Sequence, residues 1–215
     1  MRIAITQRVE QIAGHGERRD CLDQRWAALL EGLGIDAVPV PNGLADPAAW
    51  LLRQGIEGLI LSGGNDLAHL PAASNTAAER DSTETTLLSQ AESRRLPVLA
   101  VCRGLQMLNH FLGGELVPLS GHAGCMHPVF PVGIDERFER YVEVNSFHNW
   151  GIAPGTLAPS LLARVRAADE SIEAVTHEDL PWVGIMWHPE RPSSNAAADS
   201  RLIRHLFSCK DQPCA

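Results

Sequence analysis

The stretch that most constrains this chain is Pro97-Val98-Leu99-Ala100-Val101-Cys102-Arg103-Gly104-Leu105-Gln106. Its first five residues are small or apolar, as in a strand buried on both faces of a sheet. From Arg103 the apolar residues Leu105, Leu108 and Phe111 follow at helical spacing. The backbone must therefore turn sharply at Cys102, which falls at the carboxyl end of a strand and the amino end of a helix. Free amides and the helix dipole favour a thiolate there, the form that attacks carbonyl carbons. Most free cysteines are small buried hydrophobes, so the rest of the chain must decide between the two readings.

Around this turn, strand and helix signals alternate. Residues 3–6, 37–41 and 57–61 have strand character. Residues 21–33, 47–53 and 80–95 have helical character, with Asp46 placed as an N-cap and Gly34 as a terminator. Residues 7–20 are polar and interrupted by Gly14 and Gly16, as in a loop. This β-α alternation predicts an α/β fold with a doubly wound, mostly parallel sheet flanked by helices. Ligand-binding loops of such folds lie at the carboxyl ends of strands, where both Ser62-Gly63-Gly64 and Cys102 fall.

Beyond Gly114 the pattern changes to short strands: 115–119, 141–145, 162–168, 172–176 and 182–187. Strand 115–119 leads into residues 121–127 and then a proline-broken segment to Glu136, and a final helix covers about 196–207. Connections this short predict an additional small antiparallel sheet. A length of 215 residues suits a single domain, 1–215, with residues 209–215 as a loose tail.

Charge and cysteine usage narrow the function. A net charge of −8 with scattered arginines argues against a nucleic-acid partner. No apolar run approaches a membrane span. Five cysteines (Cys21, Cys102, Cys125, Cys209 and Cys214) show no disulfide spacing, so a reducing, cytoplasmic setting is expected.

A thiol nucleophile needs a base, and the base needs an orienting partner. His188 and Glu190 stand two residues apart at the end of the last strand, on one face, with Pro189 closing the ladder. Developing oxyanion charge needs donors; the amides of Gly64 and Arg103 are candidates, with Gly63 forming the turn.

Together these residues resemble the class I glutamine amidotransferases, whose nucleophile motif is Gly-x-Cys-x-Gly-x-Gln and whose base motif is His-Pro-Glu. Here they read Ala100-Val101-Cys102-Arg103-Gly104-Leu105-Gln106 and His188-Pro189-Glu190, with Ala100 the one departure. The resemblance covers nearly the whole chain and implies cleavage of a γ-glutamyl amide through a thioester at Cys102, releasing glutamate. It also implies glutamyl binding by Gly63, Gln106 and the Asn145, Ser146 and Phe147 segment. Arg103 after the nucleophile, and Ser62-Gly63-Gly64-Asn65-Asp66-Leu67, resemble the free-standing γ-glutamyl hydrolases of the peptidase C26 kind. Within them, Asn145-Ser146-Phe147-His148-Asn149 and Gly184-Ile185-Met186-Trp187-His188 resemble γ-glutamyl-CDP-amidate hydrolases, which release cytidine diphosphoramidate for surface polysaccharide modification. A diphosphate-bearing substrate needs cations at the pocket mouth, for which Arg8, Arg18, Arg19 and Arg103 are candidates. The alternatives are a γ-glutamyl-γ-aminobutyrate hydrolase and a glutaminase subunit feeding ammonia to a separate synthetase.

His122-x-x-Cys125-x-His127 offers three zinc-ligand types but shows no fourth, and a pocket or structural role competes with it. No cofactor or metal is expected. His148 has no acidic neighbour in sequence and reads as structural or pocket-lining; Trp182 and Trp187 read as core or rim. The expected partner is a small-molecule γ-glutamyl substrate, with a homo-oligomer left open.

Overall fold

The computed structural model describes residues 1–14, 16–71 and 73–208. The expected loose tail, with Cys209 and Cys214, lies outside the described residues. In chain order the elements are β1 (Arg2–Thr6), β2 (Arg8–Ile12), β3 (Glu17–Cys21), α1 (Arg25–Gly32), β4 (Asp36–Val40), α2 (Pro47–Gln54), β5 (Gly58–Leu61), α3 (Ala78–Arg94), β6 (Val98–Val101) and α4 (Arg103–Phe111). There follow β7 (Val117–Pro118), β8 (Ala123–Pro131), β9 (Glu143–Phe147), β10 (Trp150–Gly151), β11 (Leu161–Ala167), β12 (Ile172–His177), β13 (Trp182–Ile185) and α5 (Ala196–Ser208).

The main sheet has the order β4-β1-β5-β6-β13-β12-β11-β8-β9. Its β4-β1-β5-β6-β13 half is parallel. Helices cover both faces, as strand alternation requires. Ile3 and Ile5 of β1 pack with Trp26 and Leu30 of α1 and Leu202, Ile203 and Phe207 of α5. Ala4, between them, joins the opposite core with Leu51 of α2, Leu87 and Leu88 of α3 and Leu105 and Leu108 of α4. The doubly wound fold is as expected, and Asp46 caps α2 by accepting from the Ala49 amide at 2.8 Å. Two small antiparallel ribbons, β2-β3 and β7-β10, stand beside the sheet.

Three local expectations are corrected. Residues 7–20 are not a loop but contain the ribbon β2-β3, whose second strand is charged and exposed and so carries no apolar alternation. Only Val9 is buried in it, and Asn65 grips its backbone, accepting from the Val9 amide at 2.9 Å and donating to its carbonyl at 3.0 Å. The helix expected at 21–33 begins at Arg25, because Asp23 takes the Arg25 amide at 3.0 Å and starts the turn there. Residues 121–136 hold the nine-residue β8, which changes partner at a proline: Ala123 to Pro128 pair with β9, Val129 to Pro131 with β11. The later antiparallel strands thus extend the main sheet. No helix among the described residues is long and apolar enough to cross a membrane.

Candidate active site

β6 and β13 are parallel neighbours in register, Val101 opposite Ile185. The residues just beyond them, Cys102 and the segment to His188, therefore emerge at the same sheet edge. The Cys102 amide still donates to the Ile185 carbonyl at 2.8 Å. Its backbone then adopts φ +52° and ψ −109°, outside the regions an L residue favours, and α4 begins at Arg103. Gly104 makes this turn possible: a Cβ there would sit 2.2 Å from the Leu61 carbonyl oxygen, so α4 closes onto β5 only with glycine. Ala100, the departure from the motif, is fully buried in the core on that side.

Cys102, His188 and Glu190 are all buried. His188 bonds Glu190 Oε1 through Nδ1 at 2.7 Å and is hydrogen-bonded to the Cys102 thiol. Burial alone would raise the Cys102 pKa. The charge and hydrogen bond of His188, with smaller help from His148 and the Arg103 amide, outweigh it and hold the thiol below its usual value. Burial likewise opposes a charge on His188, yet the Cys102 thiolate, their hydrogen bond and Glu190 prevail, and its pKa rises to about 9. Each partner thus favours the charged form of the other.

The Ser62-Gly63-Gly64 loop packs against this pair. A Cβ on Gly63 would lie 2.8 Å from His188 Cε1, so only glycine lets the loop approach that ring. The loop's orientation comes from a residue the sequence reading missed, Arg80. Its buried guanidinium donates to the carbonyls of Ser62 (2.6 Å), Gly63 (3.1 Å) and Gly64 (2.6 Å). In a trans peptide the N–H opposes the C=O, so the Gly63 carbonyl turned toward Arg80 sends the Gly64 amide the other way. Arg80 is held in turn by Glu84 at 2.8 Å, and Glu84 also pairs with Arg103. Burial brings Arg80 down to about 10, still charged at neutral pH.

Several anticipated residues have side chains engaged within the protein. The Arg103 side chain is buried and turned to Glu84 and Asp81 on α3. Arg18 pairs with Glu79, and Arg19 with Glu17 at 2.8 Å; neither lines the cleft. Gln106 donates to the Trp150 carbonyl at 2.8 Å, away from the cleft lining. Asn145 clamps the His188 backbone, donating to its carbonyl at 3.0 Å and accepting from its amide at 2.8 Å. Ser146 spends its hydroxyl on the His122 carbonyl. Trp182 and Trp187 are buried and donate to Leu96 O and Asp199 Oδ1.

What surrounds Cys102 is a cleft of about 120 Å³ lined by Gly63, Gly64, His188, Glu190, Arg8, Asp23, Trp26, Phe147 and Arg191, among others. Arg191, another omission of the sequence reading, stacks its guanidinium 3.8 Å over the Phe147 ring. Phe147 meets His188 edge-on. Beyond Phe147 and Arg191 opens a second groove of about 390 Å³, bounded also by Arg25, Met126 and Asn145.

With this geometry in view, known proteins are informative. Residues 3–127 and 132–190 match the Peptidase C26 family. The chain belongs to that family. It is 32% identical to a γ-glutamyl-CDP-amidate hydrolase of Campylobacter jejuni, over 97% of this chain and 98% of the relative. A γ-glutamyl-γ-aminobutyrate hydrolase of Escherichia coli O157:H7 is 27% identical, over 95% and 90% respectively. The fold matches that of a glutamine amidotransferase from Thermotoga maritima with a TM-score of 0.69 at 15% identity, covering 96% of each chain.

Proposed function

We propose that this Peptidase C26 protein hydrolyses γ-glutamyl amides through a thioester at Cys102. The Cys102 sulfur attacks the γ-carbonyl carbon, and the amides of Gly64 and Arg103 receive the oxyanion. Collapse breaks the C–N bond, with His188 passing its proton to the departing nitrogen. A water molecule, deprotonated by His188, then cleaves the thioester and frees glutamate. Glu190 holds the His188 tautomer and steadies its charge. Within the small cleft, Arg8 and Asp23 offer opposite charges to the α-carboxylate and α-ammonium of the glutamyl group.

The observation that carries the finer reading is the second groove. A glutamyl group fits the small cleft at Cys102, and its leaving group must then extend past Phe147 and Arg191 into the larger space. Two arginines and the half-exposed Met126 and Phe147 suit a nucleoside diphosphate, with cations for phosphates and apolar surface for a base. The leaving group we propose is cytidine diphosphoramidate, in keeping with the Campylobacter relative. A panel of γ-glutamyl-CDP-amidate, γ-glutamyl-γ-aminobutyrate and glutamine, read by glutamate release, tests this. The nucleotide substrate should have the highest kcat/KM, and Arg191→Ala should raise its KM by about tenfold or more while barely moving that of γ-glutamyl-γ-aminobutyrate. Equal or better turnover of the smaller amides would overturn the nucleotide assignment and leave the hydrolase reading standing.

The proposed mechanism carries an expected pH dependence. Activity needs the Cys102 thiolate and the His188 imidazolium together. The rate should stay level across neutral pH, fall in acid as the thiolate protonates and fall above about pH 9 as His188 loses its proton. A kcat/KM profile with its alkaline limb near pH 7 would contradict the ion pair.

A further inference from the structure

Behind the β9 strand that carries Asn145 and Phe147, four side chains from three parts of the sheet meet at one point. His122 precedes Ala123 at the start of β8, His127 lies within β8, His148 follows β9 and Glu173 belongs to β12. Nδ1 of His122 and Nε2 of His127 and His148 lie 3.6, 3.7 and 3.7 Å from the same oxygen, Glu173 Oε1. One ligand atom from each residue lies within 4.8 Å of all the others. His122, His148 and Glu173 are 6%, 4% and 0% exposed.

The outer ring nitrogens determine what the inner ones can be. His122 Nε2 bonds Asp169 Oδ2 at 2.9 Å, His127 Nδ1 the Pro128 carbonyl at 3.3 Å and His148 Nδ1 the Trp150 carbonyl at 3.0 Å. Carboxylate and carbonyl oxygens accept only, so each outer nitrogen carries the proton. In the neutral rings, the inner nitrogens are then bare lone pairs directed at a carboxylate. Among the described residues, none of these inner nitrogens, nor either Glu173 oxygen, has a hydrogen-bond partner. Buried acceptors facing one another repel and lose their hydration without compensation. Protonating one ring pairs it with the carboxylate but leaves the other two lone pairs facing it, and protonating all three would bury a net positive charge. A divalent cation at the centre satisfies every lone pair at once.

We propose that His122, His127, His148 and Glu173 form a metal site for zinc or a zinc-like divalent ion. Imidazole and carboxylate are its ordinary ligands, and four of them at about 2.0–2.1 Å around a tetrahedral ion stand roughly 3.4 Å apart. The three distances to Glu173 need to contract by only a few tenths of an ångström, and the separations among the histidine nitrogens, all within 4.8 Å, close by side-chain rotation. Outer-nitrogen bonds to a carboxylate and to backbone carbonyls are the support that metal-bound histidines require. Four protein ligands close the site, which makes it structural. The ion ties β8, the end of β9 and β12 together, and so braces the segment whose Asn145 grips His188. Cys125, the third residue of the sequence pattern, stays outside the set and bonds the Gly121 carbonyl.

Cobalt provides a readout independent of activity and of the proposed reaction. The full chain, stripped with a chelator and dialysed, should take up one equivalent of Co²⁺ with visible ligand-field bands of tetrahedral intensity. One equivalent of Zn²⁺ should abolish those bands, and excess Zn²⁺ should raise Tm by about 5–10 °C. His127→Ala and Glu173→Gln should lose the bands, while Cys102→Ala should keep them. Absence of both bands and Tm shift in the wild-type chain would overturn the site, and that measurement needs no variant to fold. Bands that survive both ligand substitutions, or vanish with Cys102→Ala, would also overturn it by placing the ion elsewhere.

Discussion

Cys102→Ala should reduce glutamate release by about 10⁴-fold or more, since removal of the proposed nucleophile leaves only binding and oxyanion stabilisation. The fold should survive, because the side chain is small and sits at the cleft floor. A second substitution at the same position separates chemistry from strain. Cys102 holds φ +52° with a Cβ that this backbone disfavours, at a cost of order 1–3 kcal/mol. Glycine relieves that strain but loses about 0.5–1 kcal/mol more than alanine in chain entropy. Cys102→Gly should therefore be more stable than Cys102→Ala by about 1 kcal/mol, a few degrees in Tm, and equally inactive. Full activity in either variant would remove Cys102 from the mechanism. A glycine variant less stable than the alanine variant would show that the turn is unstrained.

The ease of reading this turn from sequence, and the difficulty of reading what surrounds it, have one cause. Strand, cysteine and helix are contiguous, so periodicity alone locates the bend at Cys102, and His188 with Glu190 repeats the logic at the next strand end. Both readings depend on residues within two or three positions of each other. The Ser62-Gly63-Gly64 loop was legible, but not Arg80, which sets its orientation from a helix sixteen or more residues away. A polar helix with arginine and glutamate four apart reads as a solvated face; that Arg80 and Glu84 are wholly buried depends on what packs over α3. The arginines failed in the opposite sense. Arg18 and Arg19 lie close to Arg8 in sequence, yet the ribbon β2-β3 directs them to Glu79 and Glu17 and leaves Arg8 in the cleft lining. In the histidine cluster, spacing exposed two members, whereas His148 and Glu173 arrive from other strands. Clusters assembled by sheet register carry no local signature.

Glu84→Gln should then be the most damaging substitution away from the reacting atoms. Glu84 lies fully buried between two buried guanidiniums, Arg80 and Arg103. One of them carries the Ser62–Gly64 loop, and the other begins α4 and supplies the second proposed oxyanion amide. Removing its charge leaves both cations short of a buried partner, which costs about 3–5 kcal/mol, on the order of 10 °C in Tm for a chain of this length. Loosening the two donor segments together should also lower kcat by about a hundredfold, the scale of an ångström-sized misplacement, with KM much less affected. The dependence on acid gives the reading its sign. Burial alone would raise the Glu84 pKa, but Arg103, Arg80 and the Thr6 hydroxyl outweigh it and hold it below the ordinary value. Its stabilisation is therefore present above the unfolded carboxylate pKa and lost as pH falls toward the lowered folded one. The stability gap between wild type and Glu84→Gln should be widest near neutrality and narrow in acid, as measured by urea unfolding at several pH values. A gap that stays constant across that range would mean the carboxylate charge is not what joins the loop to the helix.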